Sequence, residues 1–253
     1  MGLILDSGEA NCQLPQGDCV NRFIVLAMLL LSVPFIVKAD ELTKVSLKKD
    51  TIYYEGALTE DANQAAFLLF EEHTDLIKWI SIKSKGGEVN NGMDLGEFIF
   101  KHNIGVEVID YCISSCANYV FSSSITHRIS NHAVIGFHGG TTGMLEATKE
   151  YLKSLPEASQ SSARASFEQY IAATTLREKH FFNVIGVDQE ITYLGQNPNY
   201  QKVHQAEDYV GWYYSLEDLA KFGVRNISVI DPPWKFNQLS DKVKFFKVSI
   251  DGI

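Results

Sequence analysis

Trp79-Ile80-Ser81-Ile82-Lys83-Ser84-Lys85-Gly86-Gly87 is the stretch on which the reading of the fold turns. Its first five residues alternate and carry β-branched side chains, the pattern of a strand. The paired glycines then mark a turn where the backbone can approach a neighbour closely. Downstream, Asn90 or Asn91 is expected to cap a helix running through Phe98 and Phe100. Gly105-Val106-Glu107-Val108-Ile109 reads as the next strand, Ser114 to about Phe121 as a helix, and Ala133 to Phe137 as a further strand after a connection through Arg128. Upstream, Thr51 to Tyr54 is β-rich. Thr59 is a good N-cap with Glu60 and Asp61 in the first turn, ahead of apolar residues at helical spacing.

Strands alternating with helices imply an α/β fold with a largely parallel sheet. Residues 143–185, rich in Ala, Glu, Lys and Leu, read as one or two long helices broken near Pro156. Ser215-Leu216-Glu217-Asp218 is a capping box, with Gly223 ending its helix. Residues 225–253 read as a strand-bearing tail. The expected organisation is one domain over 40–253 with a helical insertion at about 143–185, preceded by a leader over 1–39.

Three chemically suggestive features follow strands. They are the Gly86-Gly87 turn, Ser114 where the chain enters a helix, and His138 ahead of Gly139-Gly140. In a parallel sheet consecutive strand ends share an edge, where sites form. A serine at a helix mouth has the next amide, that of Ser115, among the unpaired N-terminal donors. Glycine amides of Gly86 or Gly87 offer a second donor. A nucleophile, a base and donors for an oxyanion are the parts of an acyl-transfer site. Serine as a simple N-cap and histidine as a satisfied core residue are the plainer alternatives.

The chain has 31 Asp and Glu against 22 Lys and Arg. Removing residues 1–39 takes away three acids (Asp6, Glu9, Asp18) and two bases (Arg22, Lys38), so an acid excess persists. That argues against a nucleic-acid partner, which calls for clustered cations. Neither metal-type Cys and His spacing nor a phosphate or dinucleotide loop is found, and no cofactor or metal is expected. Phe23 to Val37 is a 15-residue uncharged run. This is short for a membrane span, and Val37-Lys38-Ala39 suits a signal-peptide cleavage site. Export to the periplasm or beyond is the expectation, with a membrane anchor as the alternative. Residues 1–19 hold acids and no base, unlike a leader, so translation from Val20 is expected and 1–19 read as a start-site artefact. Cys112 and Cys116 flank Ser114 at a spacing that can bring both sulfurs together. An oxidising compartment favours a disulfide; two buried free thiols are the alternative.

Ser84-Lys85-Gly86-Gly87-Glu88-Val89-Asn90-Asn91-Gly92-Met93 resembles the Ser-Pro-Gly-Gly segment of the Clp protease proteolytic subunit, which also continues to Gly-Met. Ile113-Ser114-Ser115-Cys116-Ala117 falls where that family has Ala-Ser-Met-Gly around its nucleophile. Arg128 lies 14 residues after Ser114, matching the family's arginine, and His138 at +24 is one residue short of its histidine. Ser215 to Val224 is similar to the family's late Ser-x-x-Glu-Ala-x-x-Tyr-Gly-Leu helix. The resemblance spans about residues 50–226.

It implies a Clp/crotonase-like fold and a serine peptidase. Ser114 would be the nucleophile, with Ser115 the alternative, and His138 the base. Amides of Gly87 (or Gly86) and Ser115 would form the oxyanion hole. The family's aspartate aligns with Gly211, so Asp208 becomes the third-residue candidate, with Glu207 and Asn199 behind it. A peptide or protein substrate and a possible homo-oligomer follow. The family's ATP-driven unfoldase partner is not expected for an exported chain. Two other readings stand: a catalytically impaired Clp-like module that binds a peptide or partner, and crotonase-type acyl chemistry.

Overall fold

Strand β3, Trp79–Lys83, carries Ile80 and Ile82 into the core while Trp79 and Lys83 stay partly exposed. In the computed structural model, which describes residues 42–252 except 201 and 204–206, this strand is central to a six-stranded sheet. The expected leader with its apolar run and cleavage site, and the expected start at Val20, lie outside the described residues. The sheet's strands are β1 (Lys44–Lys48), β2 (Thr51–Glu55), β3, β4 (Gly105–Val108), β6 (His127–Ser130) and β9 (Ile227–Ile230), paired in that order. Only the β1–β2 pair is antiparallel. Matched registers place Ile52, Ile80 and Val106 on one face, and Tyr54, Ile82, Val108 and Ile129 share it. All of these are at most 1% exposed. Two-residue periodicity thus produces a continuous apolar face.

Helices cover that face. α1 (Glu60–Glu72) begins at Thr59, whose hydroxyl accepts from the Ala62 amide at 3.2 Å. α2 (Val89–His102) is capped by Glu88, not by Asn90 or Asn91. The Glu88 carboxylate accepts from the Asn91 amide at 2.9 Å and from Asn90 Nδ2 at 2.9 Å. A longer side chain has therefore taken the cap, and Asn90 spends its amide on that carboxylate.

Two short strands differ from the sequence expectation. Tyr111–Ile113 (β5), expected as a turn, pairs in parallel with β7 (Val134–Gly136), and the segment expected as a connection contains β6. Runs of three or four residues show too little alternation to be recognised alone. Single bridges, Ser84 to Cys112 and Phe137 to Trp212, extend the β5–β7 pair towards β3 on one side and β8 (Tyr209–Tyr214) on the other. β8 pairs with β10 (Lys244–Val248). The helix expected from Ser114 is a π-helix over Cys116–Phe121, with all six residues buried. Such wide turns recur at functional sites.

The helical insertion forms α3 (Thr141–Ser154) and α4 (Glu157–Ile185), parted at Leu155-Pro156. The late helix α5 (Leu216–Phe222) has the expected ends: Ser215 Oγ accepts from the Asp218 amide at 3.1 Å, and Gly223 follows at φ 108°. No helix among the described residues is long and apolar enough to cross a membrane.

Helix α2 meets the π-helix at Gly96, where a Cβ would lie 2.5 Å from the Tyr119 carbonyl oxygen and 2.9 Å from Phe181 Cζ. Backbone cannot yield as a flexible side-chain tip does. Gly96→Ala is expected to lower stability by about 1–3 kcal/mol, read from urea unfolding.

Candidate active site

Ser114 sits at φ +61°, a left-handed conformation that costs a non-glycine residue roughly 1–2 kcal/mol. The turn is held by two hydrogen bonds: the Ser114 amide donates to the Gly136 carbonyl at 2.9 Å, and its own carbonyl accepts from the Asn118 amide at 2.8 Å. This geometry turns Ser114 out of the β5 line. Its Oγ lies 2.6 Å from His138 Nε2. Twenty-four residues of chain thus close on one short contact because β5 and β7 are neighbours.

His138 follows β7 and remains accessible to solvent despite the dense protein packing around it. The protein packed around it holds its pKa below the ordinary histidine value through desolvation, opposed by a hydrogen bond to its own backbone. No carboxylate contributes to that shift. The ring is therefore biased towards the neutral form, which can accept the serine proton at Nε2 when Nδ1 carries the hydrogen.

The glycine turn lies directly over Ser114. Gly86 has φ +95°, and a Cβ there would come within 2.8 Å of Ser114 Cβ and 2.9 Å of the Ser115 nitrogen. The Gly86 amide donates to Ser84 Oγ at 3.0 Å, which removes it as an oxyanion donor. The amides of Gly87 and Ser115 have no hydrogen-bond acceptor among the described residues. Ser115 Oγ donates to the Gly87 carbonyl at 2.9 Å, and the residue is buried. That side chain ties the two turns together, leaving Ser114 as the hydroxyl that faces the histidine.

The third-residue candidates are not brought to His138. Glu207 pairs with Lys244 at 2.6 Å, and Asp208, exposed beside it, adds its charge to the same lysine. Asn199 is exposed in the short 3-10 turn Pro198–Tyr200, its amide bonded to Asn197 Oδ1. Gly211 does lie beside His138, since Phe137 and Trp212 exchange both backbone hydrogen bonds at 2.8 Å. A Cβ on Gly211 would stand 2.1 Å from the Phe137 carbonyl oxygen, so no side chain fits there in this backbone.

Arg128 lies across the sheet from the core. It pairs with Glu107 at 3.0 Å, its partner in strand register, and its guanidinium stacks 3.7 Å from the Trp79 ring. Cys112 and Cys116 stand at disulfide distance with Cα atoms 5.2 Å apart, both fully buried, so the bridge spans the Ser114 turn.

Sequence reasoning missed three supports. Asn118 Nδ2 donates to the Gly139 carbonyl at 2.8 Å, joining the π-helix to the histidine loop. Glu88 receives the Tyr170 hydroxyl from α4, which holds the start of α2 beside Gly87. Glu178 of α4 is fully buried and bonds Tyr119, Thr141 and Gln189. Burial pushes the Tyr119 pKa well up, reinforced by Glu178, so the hydroxyl remains a donor. A glutamate inside a helical run carries no local signal of this kind, because its partners come from distant segments. Among the described residues no cluster of His, Cys, Asp and Glu is arranged to hold a metal ion.

No protein-family model matches the chain, and no curated protein matches it.

Peptide mapping of the unreduced protein should return the peptide containing Cys112 and Cys116 protected from alkylation, becoming doubly alkylated only after reduction. Full alkylation without reductant would remove the bridge from the site.

Proposed function

We propose that this chain is an exported serine hydrolase, a peptidase of the Clp/crotonase kind. The single observation that carries this reading is the 2.6 Å contact between Ser114 Oγ and His138 Nε2, with the Gly87 and Ser115 amides of the adjoining turns lacking acceptors among the described residues. The fold that supports it is the mixed α/β arrangement with a mostly parallel six-stranded sheet.

In the proposed reaction Ser114 Oγ attacks the substrate carbonyl carbon while His138 Nε2 takes the hydroxyl proton. The carbonyl oxygen becomes an oxyanion, received by the Gly87 and Ser115 amides in a preorganised site. Collapse breaks the C–N bond, and His138 returns the proton to the departing amine. Water then attacks the acyl-serine, His138 takes a proton from it, and Ser114 is released with its hydroxyl restored. No carboxylate among the described residues shifts the His138 pKa, so the cation formed in this step is less stabilised. In triad enzymes the loss of that partner lowers kcat by about 10⁴-fold. Activated acyl groups and phosphonates should accordingly react before ordinary peptides.

A second reading, a Clp-like module that binds a peptide or partner without cleaving it, is favoured by one observation: Gly211, which the resemblance aligns with the family's aspartate, lies beside His138 and has no room for a side chain.

A fluorophosphonate probe distinguishes the two. Labelling of the wild type, its abolition in Ser114→Ala, and labelling within about tenfold of wild type in Ser115→Ala are expected for the hydrolase. Asp208→Asn should label within twofold of wild type. An unlabelled wild type would leave the binding module.

Because the base must be neutral to act, activity is lost as pH falls through the His138 pKa. That pKa is depressed, so the acid limb of the labelling rate should lie below the ordinary histidine value of about 6.5. A limb above that value would contradict the desolvated histidine.

A further inference from the structure

Glu178 performs no step in the proposed reaction, yet it is fully buried, and its hydrogen-bond partners among the described residues are the neutral groups of Tyr119, Thr141 and Gln189. Oε1 accepts from the Tyr119 hydroxyl at 2.6 Å and from the Thr141 amide at 3.3 Å. Oε2 accepts from the Thr141 hydroxyl at 2.6 Å and from Gln189 Nε2 at 2.8 Å. The two carboxyl oxygens together accept from four donors. Thr141 is the first residue of α3, so one of the unpaired N-terminal amides of that helix is satisfied by the Glu178 side chain.

The donors come from the two arms of the site. Tyr119 lies within the π-helix that begins two residues after Ser114. Thr141 closes the His138-Gly139-Gly140 loop, and a Cβ on Gly140 would stand 2.5 Å from Glu178 Oε1. The loop therefore presses against this carboxylate with nothing between. α4 supplies Glu178 from outside both arms, so each arm is fixed to a common point.

We propose that Glu178 is a positioning residue for the Ser114–His138 pair, taking over through backbone and hydroxyl contacts the orienting role that no carboxylate performs at the imidazole itself. The proposal rests on the hydrolase reading for its effect on rate, whereas its effect on the histidine ring is independent of it. Glu178 touches neither Ser114 nor His138. It sets the separation and angle of their supporting segments, and a displacement near 1 Å in such a contact lowers rates by roughly 100-fold.

The test compares Glu178→Leu, Glu178→Gln and Tyr119→Phe with wild type in three measurements: thermal midpoint, rate of fluorophosphonate labelling of the folded protein, and ¹⁵N shifts of the His138 ring. Glu178→Leu removes every acceptor and should slow labelling about 10- to 100-fold. Its His138 shifts should move from one tautomer towards a mixture. Glu178→Gln keeps a carbonyl for Tyr119 and the Thr141 amide, so it should fall between Leu and wild type. Tyr119→Phe frees only the π-helix arm and should also be intermediate. Should the leucine variant fail to fold, the other two decide. Lower thermal midpoints with labelling within twofold of wild type and unchanged ring shifts would make Glu178 a structural group only and overturn the proposal. Should the wild type take no probe, the hydrolase reading fails, and the ring shifts alone still decide whether Glu178 orients His138.

Discussion

Everything at the site depends on how closely two turns approach. The Gly86-Gly87 turn and the Ser114 turn come so near that any side chain on Gly86 would collide with Ser114 Cβ and the Ser115 amide. At that separation Ser115 Oγ can reach the Gly87 carbonyl, and the Gly87 and Ser115 amides in these two turns have no acceptor among the described residues. The approach is imposed by strand pairing. β3 continues as Ser84 into a bridge with Cys112, which brings the end of one sheet against the start of the Ser114 turn.

Strain at Ser114 is sustained by that setting. A left-handed serine costs roughly 1–2 kcal/mol. Each backbone hydrogen bond it makes, to Gly136 and from Asn118, contributes about 1 kcal/mol in return. The bridge between Cys112 and Cys116 encloses the turn, and the π-helix behind it is wholly buried. The left-handed conformation therefore survives because its neighbours leave the backbone no roomier alternative, and it directs the hydroxyl to His138.

Some elements were legible from the sequence because their signals are local. Alternation in Trp79–Lys83, the Thr59 cap, the Ser215 capping box with Gly223, and the break at Pro156 all depend on neighbours within four residues. Two caps illustrate the limit. Thr59 is a short polar cap and was plain, whereas Glu88 displaced Asn90 and Asn91 because its longer side chain reaches back to the third amide and is held by Tyr170 from α4. β5 and β6 were missed because their strand character comes from pairing partners, not from their own few residues.

The sequence by itself determined which residues can do chemistry at the strand ends. Gly86, Gly87, Ser114, Ser115 and His138 were identified by type and by the elements that precede them. Only the tertiary structure decided what each of them contacts. Ser84 occupies the Gly86 amide, Gly87 occupies the Ser115 hydroxyl, and Ser114 is left facing the imidazole. It also decided that Asp208 stands with Lys244 and that Gly211, beside His138, has no room for a side chain. The physical reason is that hydrogen bonds and steric exclusion act over a few ångströms between segments far apart in the chain. Residue type and spacing along the chain carry no such distances.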